Sequence, residues 1–546
     1  MTTSFEGSAD TFDFVIAGAG TAGCGLAYRL AERGHTVCVL EAGPKDTNPY
    51  IRIPSGIMKT SLDPNITWRF EIDTAQNTDN RKIPLLLGKT LGGSSAINGM
   101  VYNRGQVSDF DNWAKAGCEG WDYESVLPYF RKSEHYLSGG EDRYRGRQGP
   151  VPIKMAERRD PLSDRFIQGA IETGIQPTPD YNGRTQAGVS YVQGVINNGK
   201  RWSSAHCYLH PAVRQFGVDV RTKALVRRVL VKDGRATGFE YQHVGSQEIK
   251  TIMARRCTIV STGATLSPKL LQLSGIGPAS LLKDFGIPVI ADIPGVGENF
   301  SDHYSARLVA RIPSGLGSIN ELARGVPLLL EIAKWLLGKP SVLALNAMSV
   351  FTFCKSDPTS ADSDYSLMFL PACLKGGRTR ELEDFPGVTG GAWQQRPESR
   401  GHIRIRSANI EDAPVIWGNY LDAEIDRRTI IIAMKHLMRV FRTEAMKPII
   451  REITMPAQEC RTDDEWLGYI RQYGMTSYHP AGTCKMGALS DPLAVVDSRL
   501  RVRNIADLRV IDASVMPTQI AGQLNAATMM IAEKAADMLL EDYSNA

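Results

Sequence analysis

The stretch Phe14–Gly23 reads FVIAGAGTAG and is answered by Glu41 at the end of HTVCVLE (His35–Glu41). Phe14 to Ala17 is a short apolar run, which predicts a buried strand. Gly18, Gly20 and Gly23 fall on G-x-G-x-x-G, with Thr21 and Ala22 between them. The first glycine permits a tight turn, and the second lets backbone approach a pyrophosphate. The third lets the next helix pack close to the strand. Cys24–Arg33 reads as that helix, whose N-terminus offers unpaired N–H groups to an anion. His35–Glu41 reads as a second strand. Glu41 stands about twenty residues beyond the glycines, where an acid meets an adenosine ribose. Strand, glycines, helix, strand and acid in register predict an α/β, Rossmann-like dinucleotide site. No Arg follows Glu41, so NADP is disfavoured. Gly43–Pro54 is full of loop residues where a plain NAD domain would run on into further βα units. That break predicts a nucleotide domain assembled from distant segments, as in many flavoproteins.

The 546 residues are enough for a large core and two domains. Apolar content of 42% and charged content of 22% suit a soluble globular protein. A net charge of +4 on 63 basic and 59 acidic residues gives no electrostatic case for nucleic acid. The nine cysteines contain no C-x-x-C pair, and Cys38 and Cys257 sit in apolar runs. They read as reduced core thiols of a reducing compartment, with no disulfide frame and no metal site. The first twelve residues lack a signal-peptide pattern, and no apolar run reaches the length of a membrane span. The expected location is cytoplasmic, with a peripheral seat on the inner face of the membrane as the other placement. The longest candidate for such a seat is Val326–Leu337 (VPLLLEIAKWLL). Glu331 and Lys334 there share one helix face. It reads as a lid or core helix, because interfacial helices carry more basic residues.

Further along, Ile83–Gly105 (IPLLLGKTLGGSSAINGMVYNRG) is a permissive, donor-rich loop suited to close backbone approach to a flat ring or a phosphate. Val107–Ser133 predicts two helices, the second capped by Asp122. Leu162–Gly174 is helical by spacing. Val218–Tyr241 predicts strand, strand, a turn at Asp233-Gly234, and strand, with Val226 placed to bracket an adenine. Arg256–Gly277 is a second βα junction. It has a strand at Thr258–Ser261, a turn at Gly263-Ala264, and a helix capped by Ser267 with Pro268 first. Between about 305 and 475 nucleotide-binding punctuation disappears. Strands are expected at Ala347–Cys354, Ser366–Leu370 and Gly401–Ile405, a helix at Ala423–Thr443, and a flexible loop at Gly376–Trp393. The last segment carries MTSYHPAGTCKMG (Met475–Gly487), a strand ending at Asp512, and a helix beginning near Asn525.

Several of these blocks together resemble the glucose–methanol–choline (GMC) family of FAD-dependent alcohol oxidoreductases. They are GAGTAG with Glu41, GKTLGGSSAINGM (Gly88–Met100), GATLSPKLLQLSGIGP (Gly263–Pro278), YHPAGTCKMG (Tyr478–Gly487), and IDASVMP with LNAATMMIAEKAAD (Ile511–Asp537). The match runs through nearly the whole chain and looks most like the bacterial choline and aliphatic alcohol dehydrogenases. The resemblance implies a Rossmann-like FAD domain built from 10–155, 201–304 and 476–546. It also implies a cap segment at 156–200 and a substrate domain with an antiparallel sheet at 305–475. It implies FAD contacts from Gly18, Gly20, Thr21, Ala22, Gly23, Glu41, Ala42, Gly88, Thr90, Gly93, Ser94, Asn98, Gly99 and Met100. Val226, Thr262, Gly263, Asp512, Ala513, Asn525, Ala526 and Thr528 complete that set.

His479 falls where the family keeps its catalytic histidine, and Asn525 where it keeps a second His or Asn. Some members attach FAD through a His before the Asn of the glycine-rich loop. Here that position is Ile97, so FAD is expected to be non-covalent. The implied reaction removes a hydride from a primary alcohol to flavin N5 and gives the aldehyde. His479 takes the hydroxyl proton, and Asn525 hydrogen-bonds the alcohol oxygen. Oxygen or a quinone- or dye-type carrier would accept the electrons. The alternative on the same scaffold is a hydroxynitrile-lyase-type enzyme that keeps FAD without net redox. His303 (in SDHY) reads as structural, near the pyrophosphate loop. Cys484 reads as packing under the His479 loop. His206 and His210 lack a partnering motif, and Asp512 reads as a cap that could also reach the ribityl chain.

Overall fold

The computed structural model describes residues 10–375 and 381–544. Asp10–Ala17 is an interior strand of a seven-stranded sheet. Phe14, Val15, Ile16 and Ala17 are fully buried, as a parallel strand covered on both faces requires. Each large apolar side chain so buried contributes about 1.5–3 kcal/mol. Val37–Glu41 lies parallel on one side, with Phe14 opposite Val37. Ile249–Val260 lies parallel on the other, with Phe14 opposite Cys257. Across the sheet the order is Asp219–Thr222, Val37–Glu41, Asp10–Ala17, Ile249–Val260, Arg235–His243, Ala224–Lys232. Leu508–Val510 pairs with the last residues of Ile249–Val260. Start, middle and end of the chain thus complete one sheet. Asp233 and Gly234, at φ of 51° and 73°, form the left-handed turn of the predicted hairpin.

The first helix is Thr21–Glu32, with Gly20 in the cap position. It begins earlier than the expected Cys24, because the glycine loop itself forms the first turn: Cys24 N–H donates to Gly20 O at 3.1 Å. The C-terminal helix, Leu524–Asp542, packs along it, so closely that a Cβ on Gly25 would lie 3.3 Å from Ala532 Cβ. Arg29 bonds the fully buried Glu533 at 2.7 Å, and Tyr208 donates to Glu533 at 2.9 Å. Asp122 caps Tyr123–Ser133 as expected, accepting from Ser125 N–H at 3.1 Å. The Ser267 cap is not found. The helix Ser267–Leu273 starts on that residue, whose hydroxyl is drawn instead to Asp512 Oδ2 at 2.6 Å.

The second sheet also has seven strands, all antiparallel. Its order is Glu452–Met455, Tyr304–Arg311, Gly387–Gln394, Tyr365–Leu370, Val350–Cys354, Gly188–Tyr191, with Met475–Thr476 paired to the start of Tyr304–Arg311. The helix Glu424–Phe441 lies across it. The expected flexible loop at Gly376–Trp393 is overturned from Gly387 on, where a fully buried central strand begins. Residues 376–380 lie outside the described residues. The glycines here answer to packing rather than turning. A Cβ on Gly390 would stand 2.8 Å from Leu437, and one on Gly391 2.9 Å from Met368. The apolar helix expected at Val326–Leu337 is Gly325–Leu336. It is not a core helix, since most of its leucines face outward. Among the described residues no helix is long and apolar enough to cross a membrane.

Candidate active site

A cavity of about 930 Å³ is lined from both sheets. Its nucleotide end is made by Gly18, Gly20, Thr21, Ala22, Glu41 and Ala42. Gly88, Gly93, Ser94, Asn98, Gly99 and Met100 join it from the glycine-rich loop, with Val226, Thr262, Gly263, Asp512 and Ala513. Asn525 and Thr528 come from the C-terminal helix. Three expected contacts are not on the wall. Gly23 serves packing: a Cβ there would meet Gly18 O at 2.0 Å. The Thr90 hydroxyl is turned to Pro44 O at 2.9 Å. Ala526 is buried in the helix interface.

The glycine loop separates two jobs. Gly18, at φ +101°, has no room for a Cβ, which would touch Ser261 O at 2.4 Å. Gly20 is different: a Cβ there would meet only Ser261 O, at 3.9 Å. The protein leaves that space open, and a pyrophosphate laid on the backbone would use it. The first helix has no acidic residue in its first turn and no side-chain cap, so its N–H groups are available to an anion. Glu41 is fixed by two backbone donors, Ala19 N–H at 3.0 Å and Gly43 N–H at 2.8 Å. Burial pushes its carboxyl up to about 7. Asp512 caps its own turn by accepting from Ser514 N–H at 2.8 Å, and it also accepts from Gly263 N–H at 2.8 Å. It thereby locks the two βα junctions together. These residues fit a dinucleotide such as FAD.

At the other end of the cavity stands His479. Its backbone N–H donates to Asp302 Oδ1 at 2.8 Å, and its carbonyl accepts from Gln519 Nε2 at 3.0 Å. The ring sits edge-on to His303 and Trp393. Tyr478, just before it, adopts φ +63°, a conformation that costs a bulky residue energy and is kept where function over-determines the backbone. The strand pairing Tyr304 opposite Thr476 brings Asp302 and His303 beside this loop. His303 is therefore not a pyrophosphate-loop residue: its Nδ1 lies 2.9 Å from His479 Nδ1.

The tautomers follow from the acceptors. His303 Nε2 lies 2.7 Å from Gln395 O, which can only accept, so Nε2 carries the proton. Burial pushes His303 down to about 4, so it is neutral at neutral pH and its Nδ1 is a lone pair. Two nitrogens face that lone pair, His479 Nδ1 at 2.9 Å and Gln519 Nε2 at 3.2 Å, and the shorter contact assigns His479 Nδ1 as a donor. The Nε2 of His479 is left unprotonated at the cavity, and burial with the neighbouring His303 holds this imidazole well below its ordinary range. Asp302 is buried and accepts from Tyr420 at 2.6 Å and from Thr476. Burial pushes it up to about 6.

Asn525 lines the same cavity, and its amide oxygen accepts from Thr21 Oγ1 at 3.0 Å. Its NH2 group is the end left to donate. Trp393 Nε1, Asn346 Oδ1 and Ser477 Oγ belong to residues on the wall and have no protein partner. These residues, like His303, were not singled out from the sequence as site residues. The SDHY block following PGVGENF was the nearest local sign. Cys484 is buried, as expected. Among the described residues, Asp46, His206 and His210 have ligand types and spacing that suit a metal ion. Burial and then the Arg52 guanidinium push His206 down to about 4. With that cation beside it, and with His210 Nε2 3.0 Å from Asp46 Oδ2, the cluster is a brace between the loop after Glu41 and the helical segment carrying His206 and His210.

The model of the GMC oxidoreductase family matches residues 12–305, and a second model of the same description matches 397–532. This chain belongs to the GMC oxidoreductase family. It is 37% identical over 531 residues to an oxygen-dependent choline dehydrogenase of Brucella anthropi, covering 97% of this chain and 95% of the relative. It is 38% identical over 535 residues to an alcohol dehydrogenase [acceptor] of Pseudomonas putida, covering 97% and 96%. Among solved structures, pyridoxine 4-oxidase from Mesorbium loti matches with a TM-score of 0.86 and 27% identity, covering 98% of this chain and 99% of that one. A formate oxidase variant of Aspergillus oryzae matches at 0.90 and 25%, with the same coverage. This GMC oxidoreductase is thus an FAD enzyme with the Rossmann-like and antiparallel-sheet architecture expected of it.

Proposed function

We propose that this GMC oxidoreductase oxidises an apolar primary alcohol to its aldehyde, with His479 as the base. The observation that carries this reading is the His303–His479 pair. The pair presents an unprotonated Nε2 to the cavity, ready to take the hydroxyl proton as the C–H bond is broken. Bound FAD supplies the hydride acceptor, flavin N5. Asn525, its oxygen held by Thr21, offers N–H to the alcohol oxygen and favours the developing alkoxide. Among the described residues the wall carries one imidazole, His479, and no thiol, and Ile97 stands where an attaching His would be. FAD is therefore held without a covalent bond, and acid precipitation should leave a colourless pellet.

The substrate class follows from the wall beyond His479, which includes Leu328, Leu345, Met348, Met368 and Leu370. Among the described residues, the carboxylates on the wall are Glu41, Glu411, Asp412 and Asp512, grouped toward the nucleotide end, while Arg307 lines the cavity too. Asp302 lies beside His479 but is buried behind it, so on the wall itself a quaternary ammonium would find no carboxylate by His479. The relatives named for choline and for alcohols thus divide, and the lining favours the second. The test is an anaerobic series of primary alcohols of rising chain length, with choline beside them. Bleaching of the flavin bands by the longer alcohols, with dye reduction and oxygen uptake read in parallel, is the expected outcome. Preference for choline would overturn the substrate class. Release of cyanide from an added cyanohydrin, with no alcohol bleaching the flavin, would replace the oxidase or dehydrogenase reading with the lyase.

A further inference from the structure

We propose that the helix Gly325–Leu336 is a seat for an anionic phospholipid surface. Its one carboxylate, Glu331, is turned into the protein. One carboxylate oxygen accepts from Val342 N–H at 2.9 Å and the other from Lys334 Nζ at 2.6 Å, while the Glu331 carbonyl accepts from Ser341 at 2.9 Å. Trp335 pins the helix further, donating from Nε1 to Gly199 O at 2.7 Å. With the polar groups fixed inward, the hydrocarbon is forced out. Val326, Leu329, Leu330, Leu336 and Leu337 are 59–73% exposed. A surface helix ordinarily does the reverse, and a contiguous patch of exposed leucine marks an interface.

Charge decides the occupant. Lys334 is held by Glu331, but Lys339 is exposed just beyond the helix, and exposed Lys200 follows Gly199, the residue Trp335 holds. No carboxylate of the helix faces out. Leucines entering the acyl boundary with lysines at the phosphates is the arrangement an anionic leaflet accepts. A second copy seated about a two-fold would bring the same lysines together, which disfavours self-association. Leu328 points the other way, onto the cavity wall with Val342 and Leu343, so one helix separates the cavity from the patch.

The test uses the full-length, FAD-loaded protein in flotation with vesicles of phosphatidylcholine, alone or mixed with phosphatidylglycerol. The wild type should float with the mixed vesicles, less with phosphatidylcholine alone, and less again as salt rises. The double variant Leu329→Glu, Leu336→Glu should lose about 100-fold in vesicle partition while reducing a dye with a short, soluble alcohol at the wild-type rate. Wild type left at the bottom with both vesicle types would overturn the proposal. So would a variant that floats as well as the wild type. Light scattering at twice the 60.0 kDa chain mass, abolished by the same double variant, would give the patch to a second copy instead.

Discussion

The two ends of the cavity are built in opposite ways. The nucleotide end is made largely of backbone: Gly18 and Gly20, the open N-terminus of the first helix, and a carboxylate fixed by two main-chain N–H groups. The alcohol end is made of side chains, His479, His303, Asp302 and Trp393, delivered by segments far apart in the chain. A backbone site is tolerant of side chains around it but intolerant of a single added Cβ. A side-chain site fails through one wrong proton. On the proposed function, the first end holds and the second reacts.

That contrast can be broken most sharply at Gly20. Gly20→Val should yield protein that passes gel filtration without flavin absorbance, because the added carbons occupy the open space over the loop. Retention of flavin at wild-type levels would move the pyrophosphate elsewhere. Next in size, His479→Ala should keep FAD and slow its reduction by substrate roughly 10²–10⁴-fold in stopped flow. Near-normal reduction would mean the base lies elsewhere.

His303→Ala sharpens the comparison within the alcohol end. The cost should be about 10–100-fold, of the order seen when a residue orienting a functional His is lost. The acid limb of kcat/KM should also move upward. In the wild type both imidazoles are held below 6.5, so the plateau should persist as pH falls through that value. A merely structural role would lower the rate without shifting the limb.

The smallest effect belongs to Glu41. Burial pushes its carboxyl up to about 7, and ribose hydroxyls donate more strongly to the ionised form. FAD affinity should be level above about 7 and weaken by up to tenfold per unit as pH falls below it. Glu41→Gln should flatten this dependence. The apo-protein runs the other way in this group. A carboxylate raised by burial contributes stability below its unfolded value near 4.5, and that contribution is lost as pH rises through about 7. Calorimetry of the apo-protein and equilibrium dialysis of FAD should therefore show opposite slopes.

The same contrast governs how much could be read beforehand. The dinucleotide loop is local: strand, glycines, helix and acid lie within one short stretch, and each residue's reason is visible in its neighbours. The hairpin at Asp233-Gly234 and the cap at Asp122 were legible for that reason. The alcohol end was legible only at His479 and Asn525, and there through resemblance. His303 reaches its partner through the pairing of Tyr304 with Thr476, a register no local pattern reveals. Gly390 and Gly391 read as a loop because glycine marks turns more often than it yields to Leu437 and Met368. In Gly325–Leu336 the spacing disclosed a polar stripe, but nothing in the spacing says which stripe faces the protein.

The bond from Thr21 to Asn525 and the ion pair from Arg29 to Glu533 each join residues 504 apart in sequence. The floor of the flavin site is translated first and its last wall last. A nascent chain therefore holds an open half-site until the helix Leu524–Asp542 is made. Shortening that helix would take away a wall of the flavin site and part of the core together, since most of its residues are buried.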